Sequence, residues 1–508
     1  MSEALAEGLA RPEAPAAPAG ARTLVALRST TGTALIAATV LASMIAFLDA
    51  FVVQVAVPAI GRDLQAGVTT LQWSVTGYLL TAAALLLVSG ALADRFGRRR
   101  VMGGGLLVML AGSALCAVAP SIGVLIAARV LQGAGAALVV PSSLALLNGT
   151  LRPEDRARGI GIWAGLATIG TTVGPFAGGW LVDHASWRWV FLLNVPLILA
   201  GLVVLRHVPE TGARRTTLSL DVVGGLLAVL GLAGVIYALN DGPAHGWASA
   251  SVVLAAVVGV LALVALAPVE RRVRAPMLRL SLFASRQFDA INGTTVLFYG
   301  AVSAAGYLIV LQCQLQLGYS PAESGAALIP QSAVFLLVAP LSGALVARVG
   351  PRWLMVAGIA AVAAAFAWLS AAGPGSGYVD AILPGVLLYG LGLGLAVTPL
   401  TAAVLAAVAD PDLGEAAAIN DAAARVGALV AVALVPALIG ATGGSSLEHA
   451  LADGYQPAML AVAGLCAAAA VVTALFVSND RAARTPHLAP PAPHHGCAPP
   501  IPDPEPSS

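Results

Sequence analysis

Apolar residues run along this chain in long blocks, and polar residues gather in the short gaps between them. A helix needs roughly 20 apolar residues to cross about 30 Å of hydrocarbon. Blocks of that kind fall near 34–57, 71–93, 101–119, 122–147, 158–181, 188–205, 221–239, 249–268, 288–313, 323–347, 352–372, 380–408, 415–440 and 457–477. The pattern therefore predicts an all-α membrane protein with fourteen spanning helices. Two blocks are interrupted: 380–408 is long and broken by glycine and proline, and 323–347 holds Pro330 and Pro340.

The pattern also repeats. Gly90-Ala91-Leu92-Ala93-Asp94-Arg95-Phe96-Gly97-Arg98-Arg99-Arg100-Val101-Met102 is a tight basic hairpin between two apolar blocks. A second copy runs from Gly343 to Met355, where Gly, Ala, Leu, Arg, Gly, Arg and Met recur in register and Ala347 replaces Asp94. A repeat at half the chain length marks a duplication. Spans 1–6 (residues 33–205) and 9–14 (residues 287–478) then form two bundles. The segment 206–286 carries two extra spans with basic linkers. Residues 1–32 and 479–508, rich in Ala and Pro, are expected to be disordered tails.

Charge supports the count. All 26 basic residues are arginine. With the N-terminus inside, 22 fall in inner loops and tails, only Arg62 and Arg188 fall outside, and Arg129 and Arg425 lie within spans. This asymmetry sets both termini in the cytoplasm. Charged residues make up 10% of the chain, against about 25% in soluble domains, which excludes a soluble fold. A net charge of +1 gives no bulk affinity for nucleic acid. Cys116, Cys313, Cys466 and Cys497 lack metal-ligand spacing and read as small apolar side chains; His494-His495 with Cys497 reads as tail rather than metal site.

A few polar residues interrupt the spans. Asp49, in Leu48-Asp49-Ala50-Phe51-Val52-Val53-Gln54-Val55-Ala56-Val57-Pro58, lies roughly 23 Å along its helix from the cytoplasmic side. A carboxylate there costs about 2.5–3.5 kcal/mol on insertion scales and is a functional candidate by default. It either handles a proton or cation, or sits near enough to the outer interface to stay wet. Arg129, in Arg129-Val130-Leu131-Gln132-Gly133, lies roughly 10 Å below the outer side, at a similar depth. It needs a partner, and Asp49 is the candidate, directly or through water. Gly170, Gly174 and Gly178 form one bare stripe beside Pro175 and Gly179, suited to close helix approach and a kink. In the second half Asp421 and Arg425 are spaced i, i+4 and can pair, with a structural or a functional role. Phe51, Gln54, Tyr78, Gln132, Phe298, Gln312 and Gln331 are candidate pocket residues that equally suit packing between helices. The Trp187-Arg188-Trp189 cluster suits an interface anchor.

These stretches resemble the major facilitator superfamily, in its 14-helix drug:proton antiporter branch. The hairpin Gly90-x-x-x-Asp94-Arg95-x-Gly97-Arg98 resembles the family's loop between its second and third helices. Asp49 lies in a stretch similar to its first-helix motif, departing at Phe51 and Gln54 where Thr and Asn are usual. Arg129-x-x-Gln132-Gly133 and Gly170-x-x-x-Gly174-Pro175-x-x-Gly178-Gly179 resemble its fourth- and fifth-helix motifs, and the stretch from Trp187 to Pro196 resembles the branch as well. The resemblance implies a 6 + 2 + 6 fold in a bacterial cytoplasmic membrane and proton-driven export of amphiphilic drug- or antibiotic-like molecules. It implies that the hairpin latches the cytoplasmic side while the outer side is open, a latch that Ala347 cannot repeat. The proton gradient replaces any cofactor, no Walker loop being present. Small-molecule substrate, protons and lipid are the expected partners, and a monomer is expected. A same-fold transporter of one metabolite, siderophore or biosynthetic product is the alternative, with a transport-dead receptor behind it; no nucleophile–base pair points to an enzyme.

Overall fold

The computed structural model describes residues 24–211, 221–273, 277, 279–409, 412–442 and 446–479. Both tails beyond these limits, with His494, His495 and Cys497, lie outside the described residues. The spans are α1 Thr30–Leu64, α2 Val68–Ala84 with Leu86–Phe96, α3 Arg98–Ala117, α4 Ile122–Thr150, α5 Pro153–His184, α6 Trp187–Leu192 with Asn194–Leu205, and α7 Val222–His245. They continue as α8 Ala250–Glu270, α9 Arg286–Leu315, α10 Pro321–Ala326 with Ile329–Val349, α11 Pro351–Leu369, α12 Tyr378–Ile382 with Leu383–Ala406, α13 Leu413–Ala433 with Val435–Leu438, and α14 Leu447–Phe476. Among the described residues thirteen are long and apolar enough to cross a membrane unaided. The bent pair in α2, its arms 55° apart, supplies a fourteenth.

The helices depart from the apolar blocks where polar residues continue a helix or an apolar run bends. α1 is 35 residues long, about 52 Å at 1.5 Å per residue, so it projects well beyond the hydrocarbon. α14 starts at Leu447 because Ser446 caps it through the His449 N–H. α2 and α6 break at Leu85 and Leu193, inside runs that read as continuous, and α10 breaks at Ala327-Leu328, just before Pro330.

Each half is held at its hairpin by the same device. Gly97 (φ +102°) and Gly350 (φ +83°) turn the chain between α2 and α3 and between α10 and α11, in a region open to glycine. Behind the first, Glu210, just past α6, accepts the Arg99 and Arg100 backbone N–H groups at 3.0 and 3.1 Å. Behind the second, Asn479, just past α14, accepts the Arg352 N–H at 3.0 Å. Each side chain satisfies first-turn donors of a helix that has none within itself. The 97–98 turn, the α4–α5 connection and the N-terminal strand-like segment share one face, tied by Arg98 to the Ala145 carbonyl and Val25 to Leu151. This arginine-rich side is called here the basic face, and its opposite the far face.

The halves meet along two seams. At one, α2 faces α13, and α7 lies against both: Leu80, Ala83 and Ala84 pack with Leu232, Ile236, Leu429 and Ala433. Two polar contacts pin α7 to α2, Trp73 Nε1 to Asp241 at 2.9 Å and Asn240 Nδ2 to Thr76 Oγ1 at 2.8 Å. At the other seam α5 faces α10, with no extra helix beside them among the described residues.

Candidate functional site

Asp49 comes from α1, and its side chain has no solvent exposure. Arg129 of α4, equally buried, donates from Nη1 to Asp49 Oδ2 at 2.6 Å. The other carboxylate oxygen accepts from Asn194 Nδ2 at 2.6 Å and from Gln132 Nε2 at 3.2 Å. Four helices thus converge on one carboxylate, because Gln132 also donates to Ser113 of α3 at 2.8 Å. Helical spacing explains part of this: Arg129 and Gln132 are i, i+3 and share a face. Length explains the rest. α1 overshoots the far face, so Asp49, fifteen residues from its end, meets Arg129, seven residues from the start of α4.

Arg129 has more partners than the carboxylate. Its Nε donates to the Ser74 carbonyl at 3.1 Å and its Nη1 to Gln132 Oε1 at 2.9 Å. Its guanidinium carbon lies 4.3 Å from the centre of the Tyr78 ring, a cation–π contact in a dry site. Tyr78 itself donates to the Ala46 carbonyl at 2.7 Å. The arrangement holds a charged pair without water, and its polar atoms are nearly all engaged, as burial of an ion pair requires.

The candidate pocket residues separate. Gln132 and Tyr78 belong to the ion-pair site and not to a pocket wall. Phe298 is fully buried in the second half. Gln312 pins the chain after α11, donating to the Ala372 carbonyl at 2.7 Å. Gln331 presents its backbone to Gly390. Phe51 is half-buried, and Gln54, 6% exposed, makes no side-chain hydrogen bond among the described residues. Asp421 and Arg425 do pair, at 3.0 Å, with the carboxylate 47% exposed, so this pair is separate from the buried site. Sequence reasoning missed Asn194, Ser113 and Ser74. The Trp187–Pro196 stretch drew notice for its tryptophans, yet Asn194 is its residue on the carboxylate. Its anchor end is real too: Trp187 and Arg188 hold Asp63 at 2.9 and 2.6 Å on the far face.

The glycine motif of α5 serves two contacts. Gly170, Gly174 and Gly178 lie on Met44, Leu48 and Val52 of α1. Gly179 lies against the Pro321 carbonyl of α10, and reciprocally Gly325 of α10 lies against the Pro175 carbonyl. A side chain at Gly179 or Gly325 would strike backbone of the other half. Polar bonds close the same face: Ala322 N–H donates to Asp183 at 2.8 Å, Gln314 Nε2 donates to the Val55 carbonyl at 3.0 Å, and Gln72 donates to the Val432 carbonyl. The packing of α5 on α10 is concentrated in Pro321–Ala326. At the basic face Asp94 is 55% exposed and pairs with Arg98 of its own half at 2.9 Å, and Arg98 reaches the Ala145 carbonyl of α4. The conformation is closed at the far face, with the hairpin carboxylate turned to its own bundle.

Comparison with known proteins agrees with this architecture. The Major Facilitator Superfamily model matches residues 39–284 and 291–501. Puromycin resistance protein pur8 of Streptomyces alboniger is 36% identical over 80% of this chain and 82% of its own. Multidrug resistance protein Stp of Mycobacterium tuberculosis is 35% identical over 84% and 80%. The tetracenomycin C resistance and export protein of Streptomyces glaucescens is 33% identical over 82% and 77%. Among solved structures, a POT peptide transporter in complex with sulfate superposes with a TM-score of 0.66 at 14% identity, covering 88% of this chain and 95% of that one. The human organic anion transporter MFSD10 gives 0.57 at 17% identity, over 87% and 98%. With the family model matching most of its length and relatives above 30% identity, this chain belongs to the major facilitator superfamily.

Proposed function

We propose that this chain is a proton-coupled antiporter that exports amphiphilic, drug- or antibiotic-like small molecules across a bacterial cytoplasmic membrane by alternating access, with its basic face in the cytoplasm. One observation carries the coupling: a carboxylate with no exposure that is the only charge partner of a buried arginine among the described residues. The resistance and export roles named for the relatives support the direction of transport.

The geometry supplies a mechanism. A proton on Asp49 removes the charge that holds Arg129 at 2.6 Å. Arg129 stays accommodated by Ser74, Gln132 and the Tyr78 ring, so the pair separates without stranding a bare cation. Asp49 is on α1, and Val55, six residues further along the same helix, is the acceptor that ties α1 to Gln314 of the second half. Release of Asp49 from α4 and α6 frees α1 to shift, and that shift reaches the far-face closure directly. One proton falling through 100 mV releases about 2.3 kcal/mol. The gradient is the sole energy source; no cofactor, nucleic acid or catalytic step takes part, and a monomer suffices. Everted vesicles test the reading: drug uptake that collapses on adding an uncoupler supports it, and uptake indifferent to the uncoupler overturns it.

A further inference from the structure

The export reading leaves the chemical class of cargo open, and one cavity speaks to it. A space of about 370 Å³ lies at the basic end of α1 and α5. Leu27, Ile36, Val40, Ile162 and Leu166 form an apolar wall, and Arg28 and Arg158 stand on its rim. The volume falls within the range of sites for drug-sized ligands, about 300–1,000 Å³.

The cavity is lined by the first half alone, by α1 with the segment before it and by α5. Residues three and four apart share a helix face. Thr33, Ala37 and Val40 of the lining therefore continue through Met44, Phe47 and Phe51 to Val55, whose carbonyl is held by the second half.

The rim is a built feature of the fold. Val25 N–H donates to the Thr150 carbonyl at 2.9 Å, and Arg152 N–H returns a bond to Val25 at 3.1 Å. Leu27 N–H is held by the Asp155 carboxylate at 2.9 Å, and Ser29 caps α1 through the Gly32 N–H at 3.1 Å. The Arg28 backbone lies between these anchors, and its side chain is exposed. Neither Arg28 nor Arg158 has an acid within ion-pair distance among the described residues. Two guanidiniums over an apolar wall are complementary to an apolar body that carries one anionic group.

We propose that this cavity is the receiving site for cargo, and that it selects amphiphilic acids: an aromatic or alicyclic body bearing a carboxylate, sulfonate or phosphate. The acid is held by Arg28 and Arg158 while its body lies on Ile36, Val40, Ile162 and Leu166, at the foot of the stripe leading to Phe47 and Phe51. This assignment rests on the export reading for its purpose, and its test is made independent of export by reading binding alone.

The matched probes 1-pyrenebutyrate and 1-pyrenebutanol share one body and differ in charge. Their binding to the full chain in phosphatidylcholine nanodiscs is read by energy transfer from tryptophan, Trp163 lying next to Ile162 on α5. Wild type is expected to bind the carboxylate about tenfold more tightly than the alcohol. Arg28→Gln with Arg158→Gln should bring the carboxylate down to the level of the alcohol and leave the alcohol unchanged. Arg271→Gln with Arg272→Gln, on the same face beyond α8, should keep the preference, and Arg28→Lys with Arg158→Lys should recover most of it. Equal affinity for the two probes in wild type, or an undiminished preference in the glutamine variant, overturns the proposal. So does native mass spectrometry showing co-purified phosphatidylglycerol on wild type and its loss in the glutamine variant, since the rim then belongs to a lipid. Uncoupler-insensitive uptake with charge-selective binding intact would remove the exporter and keep the site; coupled export with charge-blind binding would do the reverse.

Discussion

At the residue scale the molecule turns on how a few polar side chains are compensated. The Asp49–Arg129 pair is dry, so truncating either side chain, which also removes its hydrogen bonds, costs about 3–5 kcal/mol, whereas protonation leaves the Asp49 carboxyl in place. Asn194 is the less obvious member. Its 2.6 Å bond to Asp49 is a hydrogen bond to a charged group, worth about 1.5–3 kcal/mol. Asn194→Ala is therefore expected to lower thermal stability in detergent by that amount and to slow coupled export; an unchanged melting temperature and rate would remove Asn194 from the site. Asp94 gives the opposite expectation. Its pair with Arg98 is an exposed i, i+4 contact, worth about 0.3–0.5 kcal/mol, so Asp94→Asn should leave stability and membrane insertion unchanged. If the carboxylate latches the basic face when that face closes, transport should still fall; wild-type transport would reduce the hairpin to a topology anchor. Asp49 and Arg129 were legible in the sequence because a charge in an apolar block is costly and rare. Asn194, Ser113 and Ser74 were not, because a neutral polar residue in a helix is cheap, and only the meeting of α1, α3, α4 and α6 gives it meaning. The sidedness of Phe298 and Gln312 was hidden for a related reason: an aromatic or amide in a helix that is apolar all round has no sequence mark for which face meets a neighbour.

At the element scale the two functions of α5 separate on its surface. The stripe from Gly170 to Gly178 binds α1 inside one half, whereas Gly179 meets Gly325's helix across the seam. Spacing alone revealed the stripe. It did not reveal that the last glycine changes partner, because that depends on where α10 starts, and Pro330 marks only the break at Ala327-Leu328 and not the short helix Pro321–Ala326 before it. Gly179→Leu places a side chain against backbone that cannot give way. The far face should then stay open: spin labels on the far ends of α5 and α10 should lie farther apart than in wild type, with export lost and insertion normal. An unchanged distance would show that these helices do not form the closure.

At the scale of the whole molecule, duplication and its departures set the behaviour. The two hairpins turn at glycines with the same backbone geometry and are capped from behind by Glu210 and Asn479, a likeness that the copied residues announced and the non-identical caps concealed. The second half has no carboxylate where Asp94 stands in the first, and the extra helix α7 fills one seam and leaves the other bare. Alternation is thus asymmetric, with the ion pair in the first half and the uncovered seam beside α5. An even helix count and the arginine asymmetry predict both termini in the cytoplasm. A reporter fused after Arg352 or following Asn479 should report cytoplasm, and one at Gly242 the outside; inverted signals would break the fourteen-span topology.

The central claim is that the carboxylate of Asp49 takes up and releases the transported proton. The direct measurement is proton release driven by substrate in purified, reconstituted protein, wild type against Asp49→Asn, a change that keeps shape and a hydrogen-bonding group facing Arg129, Gln132 and Asn194. Wild type should release protons on adding substrate, and Asp49→Asn should release none and should fail to accumulate substrate against a gradient. Undiminished proton release and coupled export by Asp49→Asn would contradict the account.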